Sequence, residues 1–150
     1  MFNFGGRGVQ VCAEYSKCPD YVKSTPEITA ENILNRDFKA TVPFEKWLTD
    51  VTEFKYYVGP EVKKLYLSAI LDLYDRRIIA YKIGDSNNNE LVFTTFDEAT
   101  SRYPDAKPIF HSDRGFQYTN KVFHQKLVDS GMIQSMSRVG RCLDNAPMEG

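Results

Sequence analysis

From Trp47 to Phe54 apolar and polar residues are distributed along the chain as they would be on the two faces of a strand. Leu48, Asp50, Thr52 and Phe54 fall on one side of an extended chain, and Trp47, Thr49, Val51 and Glu53 on the other. The segment reads as a strand, with an apolar residue at intervals on each face. Gly59-Pro60 marks a turn, and 65–71 is a continuous apolar run of strand length, expected to be buried on both faces. Residues 72–77 read as a mostly polar turn, with Asp72 and Asp75 suited to a turn and a hairpin. Residues 78–83 are rich in β-branched side chains and predict a third strand. Connections this short favour an antiparallel meander.

The period then changes. Residues 85–89 offer several helix caps, and Val92, Phe96, Ala99 and Tyr103 recur at helical spacing before Pro104. Residues 107–111 predict a short strand that ends at Asp113. Thr119 stands where it can cap a second helix, with Val122, Phe123 and Leu127 inward and Gly131 as its stop. Residues 133–136 predict a last strand. Strands separated by helices imply parallel additions to the sheet. The fold class is therefore α/β, with a mixed five-stranded sheet (three antiparallel strands, then two parallel ones) and flanking helices. Residues 1–37 show no period, are interrupted by Pro19 and Pro26, and read as a poorly structured arm or remnant. Residues 38–150 read as one core domain.

At 150 residues the chain is large enough for one real core, and a hydrophobic fraction of 42% suits a globular protein. No apolar run approaches the roughly 20 residues of a membrane span. The first residues lack the charged-then-apolar order of a signal peptide, so a cytoplasmic protein is expected. A formal charge of −1 carries no bulk signature of a nucleic-acid binder, though it leaves room for a local basic face. The cysteines (Cys12, Cys18 and Cys142) are odd in number and lack Cys-x-x-Cys spacing, which argues against zinc. Only His111 and His124 could serve a Ser-His-Asp enzyme, and no serine sits in a nucleophile-elbow context.

The acids change the picture most. Asp50 lies inside the first predicted strand and Asp113 at the carboxyl end of the fourth. In a mixed sheet those strands can be neighbours, which sets the two carboxylates side by side. Close carboxylates raise each other's pKa. Two Mg²⁺ or Mn²⁺ ions would relieve this, one activating an attacking water or hydroxyl and the other stabilising the leaving oxygen. A third acid, Glu149, follows Asp113 after an interval of thirty-five residues.

Long segments carry a resemblance. Glu31-Asn-Ile-Leu-Asn-Arg-Asp-Phe38, Trp47-Leu-Thr-Asp-Val-Thr-Glu-Phe54, Tyr66-Leu-Ser-Ala-Ile-Leu-Asp-Leu-Tyr-Asp-Arg76, His111-Ser-Asp-Arg-Gly115 and the run from Ser135 to Glu149 stand in order along the chain. Together they resemble the catalytic core of orfB-type insertion-sequence transposases, within the retroviral-integrase-like superfamily. The resemblance implies an RNase H-like fold and a metal-binding catalytic triad of Asp50, Asp113 and Glu149. It also implies hydrolytic nicking at transposon ends, followed by attack of the freed 3′-hydroxyl on target DNA. DNA would be the main partner, with a homo-oligomer or a full-length transposase as a protein partner. Arg114 follows the second acid in a loop and suits a DNA phosphate, and Gly115 lets backbone approach. Arg138, Arg141 and Asn145 precede the third acid and are candidates for DNA contact or for pairing with acids. His111 reads as a packed strand histidine, Trp47 and the other aromatics as core, and Lys63-Lys64 and Arg76-Arg77 as a solvated face.

Two departures from the family stand out. Phe44 follows Pro43 where the family usually has asparagine. In the family the third acid also opens a long helix. Here Asn145 can cap and Pro147 suits a first turn, but Glu149 and Gly150 are too few residues to sustain a helix. The expectation is a core without its C-terminal helices, a partial or decayed copy with weak or no strand transfer alone. Two other readings are a non-catalytic assembly partner or inhibitor of full-length transposase, and an RNase H-type nuclease.

Overall fold

The computed structural model describes residues 29–138. Five strands, β1 (Lys46–Val58), β2 (Glu61–Asp72), β3 (Ile78–Gly84), β4 (Ile109–Ser112) and β5 (Ile133–Met136), form one sheet in the order β3-β2-β1-β4-β5. β1–β2 and β2–β3 are antiparallel, and β1–β4 and β4–β5 are parallel. The short connections made the meander, and the helices α1 (Asn89–Arg102) and α2 (Lys121–Asp129) made the two parallel additions.

β1 and β2 run further than their apolar pattern. Their ladder continues to Val58↔Glu61, closed by Gly59-Pro60, with Gly59 at φ +59°. Backbone bonds sustain this end, where the side chains are mostly exposed. β2 is consequently not buried on both faces throughout 65–71: burial begins at Ser68, and residues 65–67 are half-buried.

Asn88 caps α1 by accepting from Leu91 N–H at 2.9 Å, and Leu91, Val92, Thr95, Phe96 and Ala99 face the sheet. α2 begins one residue later than Thr119 would place it. Asn120 is its cap, accepting from Val122 N–H at 2.8 Å. Thr119 is buried, and its hydroxyl turns back to the Gly115 and Phe116 carbonyls. On this two-turn helix only Phe123 and Leu127, four apart, can share the inward stripe; Val122 stays 57% exposed rather than inward. Gly131 leaves the helix at φ +71°, and Met132 N–H donates to the Leu127 carbonyl.

The main core lies on the helix side of the sheet. Trp47, Val51, Ile70 and Ala80 meet Phe96, Phe110, Phe123 and Leu127 there. Phe96, Phe110 and Phe123 form a triangle with ring centroids 5.4–5.7 Å apart. A smaller cluster of Leu34, Leu48, Ala69, Leu71 and Leu73 sits apart from it. Leu34 falls in the stretch assigned by sequence to an arm. The described part of that stretch is packed: Leu34 is 2% exposed, Met136 N–H donates to the Glu31 carbonyl at 3.1 Å, and Ile33 and Leu34 N–H donate to Ser135 Oγ at 3.0 and 3.1 Å. Lys46 Nζ holds the next bend through Asp37 and the Lys39 carbonyl.

Candidate functional site

Asp50 reaches its place because β1 alternates. The residues before and after it, Thr49 and Val51, belong to the opposite side of the strand. The parallel register of β1 with β4 pairs Lys46 with Ile109, Trp47 with Phe110 and Leu48 with His111. Continued two residues past the last bonded pair, the same register sets Asp113 beside Asp50. Electrostatics agree with that placement. Asp50 is 5% exposed, and burial first, then the Asp113 charge, push its carboxyl well above the usual carboxylate range. Val51 N–H, donating at 2.9 Å, offsets part of this.

Asp113 begins a tight loop. Its Oδ1 accepts from Gly115 N–H at 2.8 Å, and the Gly115 carbonyl accepts from Tyr118 and Thr119 N–H at 2.9 and 3.2 Å. A side chain at Gly115 would not fit freely, because a Cβ there would lie 3.0 Å from Asp113 Oδ1 and 3.1 Å from Gln117 Oε1. Arg114 extends outward, with Nε donating to the Ser137 carbonyl at 2.8 Å. Gln117 is buried and donates its amide to Asn87 Oδ1, which ties the loop to the segment before α1.

Tyr118 is the residue nearest this chemistry that the periodic pattern did not mark. Its hydroxyl meets Thr49 Oγ1 at 3.2 Å. Thr49 gives its hydrogen to the Ala69 carbonyl, so Tyr118 is the donor. Burial, then the charges of Asp113 and Asp50, hold the phenol well above the usual tyrosine range, and it stays protonated. Only its position in the loop after the second acid could have pointed to it.

His111 is fully buried on β4, as its place on a strand suggested, with Nδ1 2.9 Å from Ser135 Oγ. Ser135 Oγ already accepts two backbone N–H groups, which leaves its hydrogen for His111 Nδ1. Ser135, Gln117 and Asn87 all support the strands and loops around Asp113. In the sequence Asn87 stood only among the candidate helix caps and Ser135 only at the start of a family-like run, and neither these nor Gln117 was marked for this supporting role. Asp72 is buried and accepts from Phe44 and Tyr74 N–H, a structural role like the one expected of it. Trp47 is core.

Arg138 is exposed at the end of the described chain, and Glu149, Arg141 and Asn145 lie outside the described residues. Among the described residues no three acids, histidines or cysteines converge as a metal site, and no helix is long and apolar enough to cross a membrane. Two carboxylates held side by side nevertheless suit Mg²⁺, which typically takes one or two carboxylates and completes its shell with water and substrate phosphates.

The integrase core domain family matches residues 40–142, across the whole sheet and the loop after Asp113. The chain belongs to this family. An "uncharacterized transposase-like protein" of Haemophilus influenzae is 49% identical over 80% of this chain and 54% of its own length. A transposase for insertion sequence element IS904 of Lactococcus lactis is 33% identical over 89% of this chain and 51% of its own length. The chain thus spans about half the length of these curated relatives. Among solved structures, the HTLV-2 integrase catalytic core domain in complex with magnesium superposes with a TM-score of 0.54 at 20% identity, over 64% of this chain and 62% of that one. The integrase core domain of this chain thus has the RNase H-like fold.

Proposed function

We propose that this integrase core domain is the catalytic part of a DNA transposase, with Asp50, Asp113 and Glu149 as its metal-holding acids. The observation that carries the reading is the buried Asp50 carboxyl, pushed up by its burial and by Asp113 across the β1–β4 pair. Two carboxylates kept together in a low-dielectric place repel each other, and a divalent cation between them relieves that repulsion. The magnesium-bound integrase core with the same fold supports the choice of Mg²⁺ or Mn²⁺.

When bound, two such ions would supply Lewis-acid stabilisation to the attacking and leaving oxygens of a phosphodiester. The chain's own residues set the frame. β1 and β4 fix the spacing of Asp50 and Asp113, Gly115 N–H orients the Asp113 carboxylate, and Tyr118 stays protonated beneath them. Partners under this reading are DNA strands and further transposase copies. The chemistry would be strand cleavage, followed by joining of a freed 3′-hydroxyl to target DNA.

The test is nicking of supercoiled plasmid by the full chain in Mg²⁺ or Mn²⁺, compared with Asp50→Asn and Asp113→Asn. Loss of a first ligand should lower the rate by more than about 100-fold, since even outer-shell changes reach that size. Nicking that is equal in the variants, or that ignores added cation, would sink the reading. Cleavage confined to the RNA strand of a hybrid would replace it with the nuclease alternative.

A further inference from the structure

Arg114 differs from the ion-paired basic residues of the described structure in how its charge is used. Lys55 and Lys64 share Glu53, Lys82 and Arg102 share Glu98, and Lys126 pairs with Asp97. Arg77 pairs with Asp75, and Lys46 with Asp37. Arg114 is exposed and beside the acid pair, yet its described bond is to a neutral group, the Ser137 carbonyl, through Nε alone.

A guanidinium has two edges that can grip two oxygens at once: a side edge that uses Nε, and an end edge made of the two Nη groups. The Ser137 carbonyl occupies Nε and so takes the side edge. The end edge has no partner among the described residues. The loop that follows is fixed by the bonds to the Gly115 carbonyl and by Gln117 on Asn87, and the side chain itself is held at Nε. Little freedom is therefore left to lose on binding. Next to carboxylates that repel a nucleic-acid strand, a preset cation is also what would bring a phosphate close.

We propose that Arg114 is a phosphate clamp. Its end edge grips one backbone phosphate of a DNA strand and positions that strand against Asp50 and Asp113. The inference rests on the reading of the chain as a DNA-acting core. It adds a positioning residue and a mode of contact, in which the anchored fork matters and not merely the charge.

The test is binding of the full chain to duplex DNA across a salt series, for wild type, Arg114→Gln and Arg114→Lys, with thermal unfolding measured in parallel. Arg114→Gln should reduce the slope of log affinity against log salt by about one and lower low-salt affinity roughly tenfold. Arg114→Lys should restore the slope but not the affinity, because a lysine keeps the charge and lacks the anchored fork. Unfolding midpoints close to wild type would assign the loss to contact and not to the loop. An unchanged slope in Arg114→Gln, full recovery by lysine, or no DNA binding by wild type would each overturn the clamp. Plasmid nicking by Asp50→Asn at the wild-type rate would instead overturn the parent reading and leave the salt result standing.

Discussion

Asp50 accepts one backbone bond, from Val51, and otherwise faces burial and a second acid. Both effects favour its protonated form, so its folded pKa lies above its unfolded one. Its contribution to stability is fully present below the unfolded pKa and is lost as pH rises through the folded value. In chelator, the wild type should therefore lose stability from the ordinary carboxylate range upward, and Asp50→Asn should not. At neutral pH the variant is expected to unfold a few degrees higher, with the gap closing in acid. A gap independent of pH, or a less stable variant at neutral pH, would count against the burial account. Asp50 and Asp113 were legible as candidates because alternation and strand order suffice to pair them. Phe44 shows where single residues were not. It adopts φ +61°, a left-handed conformation that asparagine tolerates and phenylalanine resists. The asparagine that the resemblance leads one to expect at this position would suit that backbone. Here the ring packs 4.6 Å from Tyr103 and 6.3 Å from Trp47, contacts that offset the strain and that local sequence does not announce.

Among elements, the short ones were read most closely. β5 occupies 133–136, the residues its pattern marked, because its burial and its pairing to β4 coincide. β1 and β2 were underread because backbone pairing outlasts apolar patterning along the hairpin. The cap of α2 was misplaced by one residue, since Thr119 and Asn120 are both good caps and the choice was made by tertiary packing, which buries Thr119. The assignment has a measurable consequence. Asn120→Ala should destabilise the fold by about 1 kcal/mol through loss of the cap. An asparagine at 119 in that background should recover none of it, because position 119 is buried and turned toward the preceding loop. Denaturant unfolding of the two variants checks both statements, and recovery by the second would show that the helix can start earlier.

The whole molecule was legible in its strand order and less so in its closure. The connection lengths predicted the meander and the two crossovers. The contacts that seal the sheet edge were hidden, because Ala30, Ile33 and Leu34 meet Met136 and Ser135 across more than 100 residues, and no period records such a meeting. The acids likewise belong to the whole, and so does their response to metal. A divalent cation at about a hundredfold over its Kd should add about 2.7 kcal/mol to wild-type stability and far less to Asp50→Asn. Equal gains in both proteins would place the ion elsewhere. The same topology also imposes an order of assembly. The β1–β2–β3 meander closes through neighbours in sequence, whereas β4, β5 and the 30–34 segment must wait for distant parts of the chain, so their loop closures come late. Asp50 is carried by the early part and Asp113 by the late one. Their mutual repulsion is therefore absent from the first half of folding and concentrated in the last step. A cation that bridges the two acids would accordingly join the late half of the sheet to the early one, and refolding with and without Mg²⁺ is expected to differ in rate for wild type and not for Asp50→Asn.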